Sequence, residues 1–327
     1  MTDRVNGSDV VVVGGGAAGL SGALMLARAR RSVVVVDAGE PRNAPAAGVH
    51  ALLGLDGTPP AELLERGRAE VRHYGGTVLS GEVVAAARED DGFAVTCADG
   101  RVLHARRLLV TSGLVDELPD IEGLRERWGR DVVHCPYCHG FEVRDQAIGV
   151  VATGPMSVHQ ALLFRQLSDD VVFFSHTGPT PTGEEAEQLA ARGIPVVDGP
   201  VASVVVDDDR LVGVRLHDGR VAARDALAVA TRMTARAGFL ARLGLRPVAH
   251  PSGMGEHIPA DPTGQTEVSG VWVAGNVSEL TAQVGAAAAA AAIAAARINA
   301  DLVAEETRLA VAARREELSE RRGAPTP

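Results

Sequence analysis

The chain has 327 residues, a formal net charge of -10 and a hydrophobic fraction of 46%. That length exceeds one ordinary hydrophobic core, so two domains are expected, and the acidic balance excludes nucleic acid and anionic membrane surfaces as partners. All 32 basic residues are arginine, a compositional bias rather than a binding patch.

The polar, acidic start Met1 to Asp9 is followed by an apolar run, Val10 to Val13, that stops at once in glycines, so no signal peptide is expected. Val10 to Val13 reads as a buried strand. Gly14, Gly15, Gly16, Ala17, Ala18 and Gly19 follow, then a helix of small and apolar residues from Leu20 to Arg28, then a second strand, Val33 to Val36, ending at Asp37. Strand, G-x-G-x-x-G turn, helix, strand and acidic residue stand in the order a dinucleotide site requires. Gly14 permits the tight turn, Gly16 lets the backbone approach a pyrophosphate, and Gly19 lets helix and strand pack closely. The helix N-terminus offers unpaired N–H groups to the phosphates, and Asp37 is placed to accept a ribose hydroxyl.

A helix is predicted around Pro60 to Tyr74, then strands over Thr77 to Ala87, Phe93 to Cys97 and Arg101 to Leu103, and an apolar strand Leu108 to Thr111 closing at Ser112-Gly113. Cys97 lies on an alternating stretch and is expected to pack as a small hydrophobe. The plan then repeats: strand Ile148 to Val151, a turn at Thr153-Gly154-Pro155, helix Ser157 to Leu167, strand Val171 to Phe174, helix Glu184 to Arg192, and a meander from Val196 to Val229. The two meanders share a hairpin phrase, Asp99-Gly100-Arg101-Val102 and Asp218-Gly219-Arg220-Val221. The expected fold is therefore α/β, with two tandem three-layer Rossmann-like nucleotide-binding domains, each with an inserted β-meander. A last strand, Val271 to Ala274, ends at Gly275-Asn276 and has no counterpart in the second copy, so it returns to complete the first. The alanine-rich stretch Val284 to Ala296 is shorter than the ~20 residues a bilayer needs and reads as a buried helix of a soluble, cytoplasmic protein. Glu305 to Arg322 reads as a solvated helix ahead of a disordered Gly323 to Pro327.

Between the copies stands HCPYCHG, His134 to Gly140, with two thiols one helical turn apart and a histidine on either side. This is the spacing of a dithiol/disulfide switch. Half of a zinc site has the same spacing, but no second ligand pair accompanies it, so no metal is expected. In an intracellular setting a reactive pair is favoured over a structural disulfide.

The glycine turn Gly14 to Gly19, the strand end Thr111-Ser112-Gly113, the C-x-x-C opening the second unit and the late Gly270-Val271-Trp272-Val273-Ala274-Gly275-Asn276 together resemble the low-molecular-weight thioredoxin reductase family. The resemblance reaches to about Asp301. It implies a homodimer with an FAD domain from both chain ends, residues 1–117 and 244–327, and an inserted NADPH domain, residues 118–243. It also implies FAD contacts from Gly14, Gly15, Gly16, Ala17, Gly19 and Ser112. Asp37, Arg42 and Asn43 fall near the adenosine and pyrophosphate, His50 near the flavin, Gly275 and Asn276 at the ribityl chain, and Gln283 and Val284 at the pyrimidine edge.

Three departures redirect the expectation. The second turn reads Ala152-Thr153-Gly154-Pro155-Met156-Ser157, without its first glycine and with a proline that removes a backbone donor. After Val171 to Phe174 comes Ser175-His176-Thr177-Gly178-Pro179, with no arginine to clamp a 2′-phosphate. His139, not aspartate, follows the second cysteine. In these features the chain resembles the dithiol oxidases that close disulfides in natural products such as holomycin and gliotoxin. The expected activity is oxidation of a small-molecule dithiol through Cys135, Cys138 and FAD, with oxygen as acceptor. His139 is the expected base and, as imidazolium, a suppressor of thiol pKa; Cys135 is the expected exposed sulfur. An NADPH-dependent disulfide reductase and a non-enzymatic flavin-bound redox sensor are the alternatives.

Overall fold

The computed structural model describes residues 7–178 and 180–323. In chain order the first domain supplies β1 (Gly7–Val13), α1 (Ala17–Arg28), β2 (Val33–Asp37), α2 (Pro60–His73) and β3 (Thr77–Ser80). A meander of β4 (Val83–Glu89), β5 (Gly92–Cys97) and β6 (Val102–Val110) follows. The strands lie in the order β3-β2-β1-β6-β5-β4, with β1, β2, β3 and β6 parallel. An unbroken valine run suits a strand covered on both faces, and Val10, Val11 and Val12 are fully buried. Val10 and Val12 pack with Leu20, Ala23 and Leu26 of α1, whereas Val11 and Val13 pack with Phe93, Val95 and Cys97 of the meander.

The chain crosses to the second domain along β7 (Leu114–Glu117). There follow β8 (Val132–Val133), the single-turn α3 (Pro136–His139), β9 (Ile148–Val151), α4 (Ser157–Phe164), β10 (Val171–Phe174), α5 (Gly183–Ala191) and β11 (Val196–Val197). Then come β12 (Val201–Asp207), β13 (Arg210–Leu216), β14 (Val221–Ala223) and β15 (Ala226–Val229). A parallel sheet runs β11-β10-β9-β15-β8, and β12-β13-β14 form the second meander. The shared hairpin phrase has a shared chemistry. Asp99 accepts from the Arg101 amide at 3.0 Å and its Nε at 2.6 Å, and Asp218 accepts from the same groups of Arg220 at 3.0 and 2.7 Å. Gly100 and Gly219 take φ of 86° and 88°, a left-handed turn conformation open to glycine.

The return crossing is β16 (Arg232–Ala235), paired antiparallel with β7, so both connections between domains lie side by side. After β17 (Val248–Ala249) and β18 (Gly255–His257), β19 (Val271–Val273) pairs with Leu108–Val110 of β6 and completes the first sheet, as the sequence implied. The corresponding edge of the second sheet is filled by β8, which comes from ahead of the repeat and was not foreseen. Ala235, Ala237 and Leu240 pack into the first-domain core beside Val11 and Phe93, so that domain resumes near Ala235 rather than at 244.

The alanine-rich segment and the charged tail form one helix, α6 (Val284–Gly323), rather than two. Ala287, Ala291, Ala294, Ala295, Ile298 and Leu302 are buried against α1 and β1. Asp301, Glu305 and Glu306 then bind Arg107 at 2.6 and 2.7 Å and Arg106 at 2.7 Å, fastening the helix to β6. The stretch Val284–Ser319 is long and apolar enough to cross a membrane, against the shorter extent read from sequence. A third of its most apolar window is buried in the first domain. The helix is described as far as Gly323; Ala324 to Pro327, like Met1 to Asn6 and Pro179, lie outside the described residues.

Candidate redox site

Strand β8 delivers the redox pair. Cys135 takes an extended conformation as the N-cap of α3, and Pro136 occupies the first helical position, where its fixed φ fits and its missing N–H costs nothing. The Cys138 and His139 amides both return to the Cys135 carbonyl, at 3.2 and 3.1 Å. Both thiols are free and half-buried, so exposure does not single out Cys135 as the sequence reading expected. Chemistry does. The Cys138 S–H donates to the Cys135 sulfur, the Tyr137 and Cys138 amides point at it, and the Arg42 cation lies nearby; together they lower Cys135 to about 7 against the cost of burial. The same hydrogen bond and burial push Cys138 up. Cys135 is therefore the thiolate of the pair.

The two flanking histidines differ. His134 directs Nδ1 at the Val229 carbonyl, 3.2 Å away, and its own carbonyl accepts from Gln160 Nε2 at 2.7 Å. Burial holds its pKa below the ordinary value. His139 is likewise pushed down by burial, with Glu142 opposing and His50 reinforcing the shift, and its Nε2 is buried without a partner. An imidazole held down in this way is a neutral base near pH 7. The cation that acts on the thiols is consequently Arg42 and not His139, which corrects the sequence expectation.

The thiols open onto one cavity of about 1780 Å³ between the domains, lined by Cys135, Cys138 and His139 and by Gly14, Gly15, Gly16, Ala17, Asp37, Arg42, Asn43, His50, Ser112, Gly275, Asn276, Gln283 and Val284. Of the site residues expected from sequence, Gly19 alone is absent from the lining. A Cβ on Gly19 would meet the Gly14 carbonyl at 1.8 Å, so its part is to let α1 lie against the turn. Gly14 has φ of +105°, and a Cβ there would fall 2.4 Å from the Thr111 carbonyl. A Cβ on Gly16 would meet nothing within 4 Å and would project into open space at an uncapped helix start. That cradle fits the pyrophosphate of a dinucleotide.

Other assigned side chains are engaged differently from expectation. The Asp37 carboxylate accepts from the Gly15 and Gly39 amides, both at 3.2 Å, and from Arg68 at 3.1 Å. Arg42 makes a two-pronged pair with Asp116 at 2.6 and 2.8 Å, and Asp116 also accepts from Thr231 Oγ1 at 2.6 Å. Arg42 thus ties the first domain to both crossing strands. Ser112 spends its hydroxyl on the Arg236 carbonyl at 2.6 Å. Asn276 Nδ2 lies between the carbonyls of Glu279, Leu280 and Ala282, at 3.1, 3.1 and 3.0 Å, a donor's task that an aspartate could not perform. His50 stands between Asp56 at 3.5 Å and Glu142 at 3.4 Å.

The second turn is closed from within. Ser157 Oγ accepts from the Thr153 and Gly154 amides at 3.2 and 3.3 Å and donates to the Gly154 carbonyl at 2.8 Å. Proline at 155 has no N–H to add. Behind β10, the His176 ring accepts from the Val201 amide at 3.0 Å, and Arg165 is spent on Asp169 and on the Ser168 and Arg192 carbonyls. Two amides of this turn, those of Thr153 and Gly154, are thus taken by Ser157, while the start of α4 has no side-chain cap.

Residues 8–302 match the family model of the pyridine nucleotide-disulphide oxidoreductases. The chain is 34% identical to the thioredoxin reductase tcpT of Claviceps purpurea (strain 20.1), over 82% of this chain and 86% of that protein. Its fold superposes on the crystal structure of HlmI with a TM-score of 0.89 at 47% identity, covering 95% and 98% of the two chains. It superposes on an oxidoreductase from Agrobacterium tumefaciens with a TM-score of 0.85 at 36% identity, covering 91% and 99%. The chain belongs to the pyridine nucleotide-disulphide oxidoreductase family. It is a thioredoxin reductase-like, flavin-dependent oxidoreductase, and its cofactor is FAD.

Glu142, Asp116, Thr231, Gln160 and Ser157 are the site residues sequence reasoning missed. Only Ser157, the first residue of a predicted helix, left a local signal, because serine at a helix start readily satisfies turn amides.

Proposed function

We propose that the chain is an FAD-dependent dithiol oxidase, which closes an intramolecular disulfide in a small-molecule dithiol and passes the electrons to oxygen, releasing hydrogen peroxide. The observation that carries this reading is the altered second turn beside an intact thiol pair: Ser157 takes the Thr153 and Gly154 amides, Pro155 has no N–H and no arginine follows β10, so electrons enter at sulfur. The likeness to HlmI over nearly the whole chain supports it.

In the resting state Cys135 and Cys138 form a disulfide. A substrate thiol, deprotonated with help from neutral His139, attacks the Cys135 sulfur; the Cys135–Cys138 bond breaks, and Cys138 leaves as a thiolate that takes up the proton held by His139. The second substrate thiol then attacks the substrate sulfur of this mixed disulfide and expels Cys135. A sulfur held at about 7 is a good leaving group near neutral pH. Bound FAD supplies the two-electron sink that returns the pair to disulfide. Arg42 and the α3 amides hold the Cys135 thiolate once it is expelled. The proposal includes a homodimer and a cytoplasmic location, where a cycling thiol pair is at home.

Oxygen uptake by the purified yellow protein with a simple dithiol and no nicotinamide tests the reading. Uptake by the wild type and its loss in Cys135→Ser and in Cys138→Ser are expected. Full activity in both variants, or a requirement for NADPH in the wild type, would overturn it.

A further inference from the structure

Resting on that reading, one side-chain cluster behind the thiols has a task the redox steps leave open. Oxidation of a dithiol gives up two electrons and two protons. A flavin-class acceptor near neutral pH keeps both electrons and one proton, so one proton leaves the site in the reductive half-reaction and returns when oxygen is converted to hydrogen peroxide. His139 is next to the thiols, yet its Nε2 is buried without a partner, so a proton accepted there needs a second carrier.

The loop from Val49 to Thr58 places that carrier. Its ends are closed by the Val49 amide on the Thr58 carbonyl and the Gly57 amide on the Val49 carbonyl, both at 2.8 Å. Ala51 sits at φ of 58°, a strained setting for alanine, held by its amide on Asp56 Oδ1 at 2.9 Å. The strained turn fixes His50 with one nitrogen 3.5 Å from Asp56 and the other 3.4 Å from Glu142, which lies three residues past His139 in the other domain. His50 is about one-quarter exposed, and the two carboxylates reach solvent, with side-chain exposures of 67% for Asp56 and 42% for Glu142. The contacts are ion-pair distances, a little long for direct hydrogen bonds.

We propose that His50 and Glu142, one from each domain, form the proton exit of the redox centre: a proton taken at His139 crosses to His50 through water in the cavity both line, and Glu142 and Asp56 pass it to solvent and bring it back. No bond other than N–H and O–H changes in this path, and the single proton is balanced by the one taken up with oxygen. His50 is thereby a relay and positioning residue for His139. The groups whose charge acts on His139 are Glu142, which favours its protonation, and His50, which opposes it; those facing His50 are Asp56 and Glu142.

The test is the titration of His139, followed by NMR in the FAD-loaded protein, in wild type, His50→Gln and Glu142→Gln, with proton release followed by a pH indicator during anaerobic reduction with a dithiol. The midpoint is expected to fall in Glu142→Gln and to rise in His50→Gln. Proton release should slow roughly a hundredfold in His50→Gln, while alkylation of Cys135 stays within about twofold of wild type, which a merely structural defect would not allow. Glu142→Asp should restore much of the Glu142→Gln loss. A His139 midpoint unmoved in both variants, or release at the wild-type rate in His50→Gln, overturns the proposal. A wild type that takes up no oxygen with dithiols defeats the oxidase reading instead, and the titration still decides whether the three side chains are coupled.

Discussion

The two glycine-containing turns of this chain occupy equivalent places at the C-terminal ends of β1 and β9, and they have opposite fates. Neither helix start has a side-chain cap, and a Cβ on Gly16 or on Gly154 would meet nothing; but at the first turn a side chain takes one amide, Gly15 on Asp37, whereas at the second Ser157 takes both Thr153 and Gly154 and Pro155 has no N–H. A doubly wound sheet places a ligand at such a strand end whether or not a ligand is used. The two turns differ in Pro155, which has no N–H, and in the Ser157 hydroxyl, which takes two backbone amides.

The contrast is broken most severely from the first side. Gly19→Val drives side-chain atoms into the Gly14 carbonyl, and the purified protein should lose nearly all of its flavin absorbance. Gly154→Ala, where a Cβ meets nothing within 4 Å, should leave flavin content and melting temperature unchanged. The thiols give the next effect. Cys135 alkylation should follow its thiolate, rising about tenfold per pH unit below 7 and levelling above it. Cys138→Ala removes the S–H donor, so the midpoint should move up toward the ordinary cysteine value and the rate at pH 7 should fall about tenfold. Asn276→Asp sets a carboxylate against three carbonyl oxygens at the flavin-side loop. A loss of about 2 kcal/mol is expected there, visible as a lower melting temperature and weaker FAD retention. Ser157→Ala is the mildest change. It leaves the two turn amides without their partner and should cost about 1 kcal/mol in a melt, with flavin content intact and NADPH still failing to bleach the protein, since no guanidinium takes the 2′-phosphate.

Sequence carried the first turn well, because tight turns, close approach and an acidic strand end are local demands that glycine and aspartate meet within 24 residues. It carried the strands Ile148–Val151 and Val171–Phe174 to the residue for a similar reason: a four-residue run with no polar side chain needs two covered faces. It missed β8, whose two residues are a strand only through pairing with β15 some 95 positions later. Arg42 was assigned to phosphate because its partner, Asp116, lies 74 residues away on a crossing strand. For His139 the sequence offers both a base and a cation; burial, which favours the neutral base, belongs to the folded chain and not to the motif. The continuous α6 was divided because the switch from alanine to charge marks where the domain surface ends, not where the helix does.

Cys97, 2% exposed beneath the first meander, is shut away from water. Reagents added to the native protein thus count only the two working sulfurs, with no engineered background needed: a labelling stoichiometry of two marks the reduced form, zero the oxidised form, and three a protein that has come unfolded.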